Sequence, residues 1–127
     1  IGGGKPKSLG PIRRHVIRLW PDDYVEQGLV IGEGVETVLS AALGRSYNNT
    51  LLQPAWACGS CDSLRHFPLL NGISSLTILA DNDATGAGQH AARDCADRWA
   101  DDGRWVEILT PKTIGMDFND LKRRGEI

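Results

Sequence analysis

No run in this chain comes near the roughly 20 consecutive apolar residues that a membrane-spanning helix needs. The opening, IGGGKPKSLG, is rich in Gly and Lys and lacks the apolar stretch of a secretory signal. It also lacks an initiator Met, so residues 1–14 are expected to be a flexible segment left from a longer parent, with 15–127 as the folded domain. Cysteine is scarce, at Cys58, Cys61 and Cys95. An odd, small number fits a reducing cytoplasm better than a disulfide framework, and a cytoplasmic location is expected. A large excess of charge of one sign is missing too. The formal net charge is -2, so no overall basic field draws in a nucleic-acid backbone. Such a contact has to come from a local patch, from metal ions or from a partner domain. No internal repeat is present, and no low-complexity segment follows the first ten residues.

What the chain has is 127 residues, 41% of them hydrophobic, enough for one domain with its own core. Two short apolar runs, Leu29 to Gly32 and Leu76 to Ala80, suit strands covered on both faces. Weaker strand patterns run from His15 to Leu19, Pro54 to Cys58 and Trp105 to Leu109. Between them lie helical patterns. Glu36 to Leu43 stops at Gly44, a natural C-cap. Asp62 to Phe67 is expected to start on an Asp cap and to end before Pro68. Thr85 to Asp102 carries an apolar stripe of Ala87, Ala91, Cys95 and Trp99, with Ala92, Ala96 and Ala100 beside it. Asp117 to Arg124 is a last short helix. Strands alternating with helices predict an α/β fold: a mostly parallel sheet of about four strands, helices on both faces, and an N-terminal edge strand.

Sheets of this kind bind ligands beyond the carboxyl ends of their strands. Glu33 directly follows the first buried run. Asp81 directly follows the second, with Asp83 two residues on. If both strands are central and parallel, the three carboxylates share one edge. Close carboxylates repel one another, and a hard divalent cation such as Mg²⁺ offsets that repulsion. A site of this kind can orient a phosphate and neutralise the charge that develops during its transfer. The plainer alternative is that Asp83, ahead of Ala84-Thr85-Gly86, only caps the next helix. Glu33 is harder to explain as a turn residue, because Glu is a poor turn former. Its flanks, Gly32 and Gly34, let backbone or ligand approach closely. Asp117 and Asp120 lie three apart at the start of the last helix, where capping is an equal alternative for Asp117.

Other motifs compete for the same residues. Asp81-Asn82-Asp83-Ala84-Thr85 matches the D-x-D-x-T of haloacid-dehalogenase-like phosphatases, with a nucleophilic and then an acid Asp. That motif belongs after a first strand with a long chain behind it, and it leaves Glu33 without a role. A calcium loop fails at Thr85 and at Ala92, where a bidentate Glu belongs. Gly86-Ala87-Gly88 is too short for a dinucleotide fingerprint. Gly2-Gly3-Gly4-Lys5 lacks the strand and the Ser/Thr of a phosphate loop. Cys58-Gly59-Ser60-Cys61 is a lone C-x-x-C. Zinc needs two more ligands, and His66 and His90 have no pair spacing. A thioredoxin-like role is open, but two small, partly buried thiols in a strand-to-helix turn are favoured.

Three segments taken together, Ile31-Gly32-Glu33-Gly34-Val35-Glu36-Thr37, Ala80-Asp81-Asn82-Asp83 and Gly115 to Asp120, resemble the Toprim domain. Primases, type IA and II topoisomerases and some nucleases share it. The order and spacing are most similar to Toprim domains of phage- and plasmid-type DNA primases, often fused to a helicase. Thr37 stands where cellular primases carry an Asp, and Met116 where the phage-type domains carry Lys. The resemblance implies a Rossmann-like catalytic domain and Mg²⁺-dependent nucleotidyl transfer, with Mn²⁺ as a substitute. Single-stranded DNA and NTPs would be its substrates, and helicase or other primase domains its neighbours. It assigns Asp81 and Asp83 as main metal ligands and Glu33 as ligand or general acid/base. Asp117 becomes a supporting ligand, while Asn119, Asp120 and Thr37 shape the site. Lys112 and Lys122 are candidates for phosphate contact, alongside Arg13, Arg14, Arg123 and Arg124. A Toprim nuclease or topoisomerase remains open, although Tyr24 and Tyr47 have no motif to make either a nucleophile. So does a binding module without catalysis.

Overall fold

The computed structural model describes residues 16–43, 52–81 and 84–110. A 3-10 turn at Asp22–Tyr24 leads into β1 (Gly28–Gly32), α1 (Val35–Leu43), β2 (Ala55–Ala57), α2 (Cys61–Arg65), β3 (Ser75–Leu79), α3 (Ala87–Asp101) and β4 (Trp105–Leu109). The strands form one parallel sheet in the order β2-β1-β3-β4. From β1 the chain crosses to β2 at one edge, and from β3 it crosses to β4 at the other. The neighbouring central strands β1 and β3 therefore flank the switch point of the sheet, the usual place for a ligand crevice.

Alternation along the strands feeds two cores. Leu29, Ile31, Trp56, Leu76 and Ile78 face α2 and α3, where they meet Leu64, Phe67, Ala91, Ala92, Cys95 and Trp99. Phe67 stacks on Trp99 at 6.0 Å and meets Trp56 edge-on at 6.5 Å. Val30, Ala55, Ala57, Leu79 and Leu109 face the other way, against Val38, Ala41 and Ala42 of α1. Helices thus cover both faces, as the alternating pattern predicts.

The differences from the expected elements are local and have causes. The N-terminal edge strand is present as a single antiparallel bridge, Ile17 to Ala57. The backbone folds back at once, with Leu19 N donating to Ile17 O, and Pro21 lacks an N–H to extend the ladder. Helix α2 starts on Ser60, not Asp62, because the Ser60 hydroxyl accepts from Ser63 N at 3.1 Å. Helix α3 starts at Ala87, after Gly86 at φ 76, a left-handed conformation that cannot lie inside a right-handed helix. Its buried stripe accordingly runs from Ala91 to Trp99, and Ala87 and Ala100 are exposed. The expected last helix, Asp117 to Arg124, lies outside the described residues.

Candidate metal centre

Backbone register brings the acidic strand ends together. Gly32 pairs with Leu79 across β1 and β3. Glu33 and Asp81 leave the sheet one and two residues later, from neighbouring parallel strands at the same edge. Adjacent strands lie about 4.8 Å apart, so the main chains that carry the two acids leave the sheet side by side. Both residues are half-buried, and the Oδ1 of Asp81 is shielded from solvent.

The main chain around both acids is tied down. Cys58 N donates to Gly32 O at 2.7 Å, and Gly59 N donates to Glu33 O at 2.6 Å. The turn after β2 therefore lies against the end of β1. On the other side, Ala80 N donates to Leu109 O at 3.0 Å, which extends the β3–β4 ladder to the residue before Asp81. Gly32 is required by contact. A Cβ there would lie 2.8 Å from Val38 Cγ2 and 3.3 Å from Leu79 Cβ. Without a side chain at this position, α1 can sit directly on the end of β1. Thr37, in the first turn of α1, is the one buried polar residue among those described, at 5% exposure.

The side chain of Glu33 is held by a residue that sequence reasoning passed over. Cys61 Sγ donates to Glu33 Oε1 at 3.2 Å. The three thiols are not alike. Cys58 and Cys95 belong to the core beneath α2 and α3, whereas Cys61 is half-buried at the first position of α2. Burial pushes the Cys58 thiol far above its ordinary value, and the Cys95 and Glu33 charges add to that rise. Burial pushes Cys95 up to about 11, against a lowering by Arg98. The C-x-x-C spacing was visible in the sequence. Its neighbourhood was not, because that depends on β2 lying beside β1.

Of the predicted site residues, the structure describes Glu33, Asp81 and Thr37. Asp83, Asp117, Asn119, Asp120, Lys112 and Lys122 lie outside the described residues. Among the described residues no group of three or more His, Cys, Asp or Glu could hold a metal. The donor chemistry of the two described acids nevertheless fits Mg²⁺. That ion takes oxygen ligands only, commonly one or two protein carboxylates, and completes its shell with water and phosphate. A pocket of about 310 Å³ lined by Trp20, Tyr24, Gln53 and Pro54 lies elsewhere, where Gln53 and Pro54 lead into the amino end of β2. No described helix is long and apolar enough to cross a membrane.

Compared with known families, residues 28–126 match the model described as Toprim domain. No curated protein and no solved structure matches the chain. The matched span runs from the first residue of β1 to the penultimate residue of the chain and takes in all four strands. The chain belongs to the Toprim family, whose domains are typically catalytic on nucleic acids and generally bind Mg²⁺ through acidic residues.

Proposed function

We propose that this chain is the Toprim domain of a DNA primase, an Mg²⁺-dependent nucleotidyltransferase that makes RNA primers on single-stranded DNA. It would work within a longer polypeptide beside helicase or other primase domains, of the kind found in phages and mobile elements. The observation that carries the reading is the placement of Glu33 and Asp81 at the carboxyl ends of the two central strands, on either side of the switch point. What favours the primase branch in this reading is the likeness of the three stretches to those of phage- and plasmid-type primases.

In this reading Asp81 and Asp83 hold the cation, with Asp117 supporting them. Bound there, Mg²⁺ supplies positive charge for the phosphates and for the pyrophosphate that leaves. Glu33 either completes the ligand set or takes the proton from the attacking 3′-hydroxyl, a role that needs hydrogen-bond reach to that oxygen. Lys112 and Lys122 would meet phosphate oxygens, and Asn119, Asp120 and Thr37 would keep the acids in place. The rigid main chain around Glu33 and Asp81 suits such a task, since misplacing a reacting group is costly in rate.

The competing chemistries fit less well. A phosphatase nucleophile belongs after the first strand, whereas Asp81 follows β3, with Glu33 beside it on β1. A topoisomerase needs a Tyr nucleophile, and neither Tyr24 nor Tyr47, which lies outside the described residues, has a supporting motif. Tyr24 sits in the 3-10 turn before β1 and lines the separate pocket near the amino end of β2. The test is primer synthesis by the polypeptide that carries this domain, with single-stranded DNA, NTPs and Mg²⁺. Glu33→Gln and Asp81→Asn should each abolish primers while leaving the circular dichroism spectrum unchanged. Undiminished synthesis by Glu33→Gln would sink the catalytic assignment, and cleavage of DNA without synthesis would move the domain to the nuclease branch. Mn²⁺ soaked into crystals should appear at Asp81. Density only elsewhere would remove the centre.

A further inference from the structure

The C-x-x-C turn has no role in the activity above. It is too poor in ligands for zinc, and two of the three thiols lie in the core. Its geometry nevertheless joins it to the acidic edge three times. Cys58 N bonds to Gly32 O, Gly59 N bonds to Glu33 O, and Cys61 Sγ bonds to Glu33 Oε1. The first two contacts fix the Glu33 main chain. The third reaches the carboxylate itself. We propose that Cys61 is a positioning residue for Glu33: its thiol donates to Oε1 and holds the carboxylate in the orientation the metal and phosphates require. The inference rests on the metal reading of this edge.

Three features make Cys61 suited to the task. Gly59 takes φ 91, a left-handed conformation open to glycine, so the chain can turn sharply off β2. Ser60 then caps α2 through its hydroxyl, which fixes the backbone that carries Cys61. Cys61 also packs partly against the core, so its sulfur has little freedom to rotate away. A thiol is a weak donor, but an ionised acceptor strengthens the bond. One oxygen of Glu33 is thereby engaged by sulfur, and in the metal reading the other is the one offered to the cation. Partners that orient a metal-binding carboxylate in this way typically change metal affinity about 10- to 100-fold when removed. A thiol donor should act at the lower end of that range.

The experiment uses the 127-residue chain with two readouts. The first is Mn²⁺ affinity, measured from the electron paramagnetic resonance of free Mn²⁺. Cys61→Ala should weaken binding about 10-fold. Cys61→Ser retains a donor and should stay within about 3-fold of the parent. In a Glu33→Ala background, Cys61→Ala should cause no further loss. The second readout needs no metal. A double-mutant cycle of Cys61→Ala with Glu33→Ala in urea should show coupling of about 3- to 10-fold in the unfolding constant. Cys61→Val replaces Cys61→Ala if the latter does not fold. Unchanged Mn²⁺ affinity in the folded Ala or Val variant overturns the proposal, as does Ser behaving like Ala. If the parent chain binds no Mn²⁺, the metal reading itself has failed. The metal-free cycle then decides the contact, and coupling under about 2-fold overturns it.

Discussion

Gly32→Ala tests whether the acidic edge depends on close contact between α1 and β1. The added Cβ would lie 2.8 Å from Val38 Cγ2, whereas carbon atoms rest at about 3.5–4.0 Å, so the gap is short by about 0.7 Å or more. Neither neighbour can yield freely. Val38 is 0% exposed and β-branched, with one preferred rotamer in a helix. Leu79 Cβ, at 3.3 Å, is fixed to the backbone of β3. The relief available is to lift α1 off the sheet. Overpacking of this kind costs about 1–3 kcal/mol. Replacing Gly by Ala restricts the unfolded chain and returns about 0.4–1 kcal/mol where the backbone conformation is compatible. The net expectation is a loss of about 0–2.6 kcal/mol in urea unfolding, with weaker Mn²⁺ binding because Glu33 is the next residue. Gly28→Ala is the control in the same strand. Its nearest contact would be Ser75 O at 4.0 Å, so that variant should be neutral or slightly stabilising. Val38→Ala should relieve the Gly32→Ala clash, so the double variant should cost less than the sum of the singles. The reasoning fails if Gly32→Ala is as stable as Gly28→Ala, or if the Val38 cycle is additive.

The thiols give a second expectation. Both buried cysteines titrate above the ordinary 9.0 when folded, so the unfolded chain loses their protons first. Their contribution is intact below about pH 9 and declines as pH rises through about 11 for Cys95, on the order of 1 kcal/mol per pH unit for each thiol. Urea midpoints from pH 8 to 10.5 should fall more steeply for the parent than for Cys95→Ala, and parallel curves would refute this. At pH 8 a thiol reagent should label Cys61 before the other two, which should react only after unfolding. Equal rates at all three would show that Cys58 and Cys95 are not sheltered in solution. Ser60→Ala removes the α2 cap and should cost about 1 kcal/mol. It should also weaken Mn²⁺ binding through Cys61, whereas Ser63→Ala, which keeps the backbone N–H donor, should not.

The parts of the fold that are local were legible in the sequence. Trp105–Leu109 is a strand with the predicted bounds, and the runs around Val30 and Thr77 are buried strands because apolar residues fill both faces. Where prediction slipped, two short-range signals competed. Ser60 and Asp62 are both good caps, and the one whose hydroxyl reaches Ser63 N sets the helix start. Thr85 and Gly86 continue a helical pattern in composition, yet Gly86 adopts φ 76 and the helix waits for Ala87. The candidate acids were legible because each directly follows an apolar run. That Glu33 and Asp81 follow neighbouring strands was only conditional on strand order, and order is set by which cores the two faces build.

Strand order also explains why the residue that holds the Glu33 carboxylate could not be found by motif. C-x-x-C spacing invites a search for metal or redox chemistry within the motif itself. In this fold the two cysteines diverge. Cys58 directly follows β2 with its side chain in the core shared with Cys95, while Cys61 opens α2 and reaches across to Glu33 at the end of β1. The crossing requires β2 beside β1, parallel and in register, with Gly32 opposite Ala57, so that the turn leaving β2 arrives level with the residue leaving β1. A slip of one residue would point the neighbouring side chains to the opposite face and would carry Cys61 away from Glu33. The register that buries Ile31 and Trp56 in one core and Val30 and Ala55 in the other therefore also sets the Cys61–Glu33 contact. Packing of the sheet and geometry of the acidic edge are one constraint, and this is why substitutions at Gly32, which lacks any ligand atom in its side chain, should register in metal affinity.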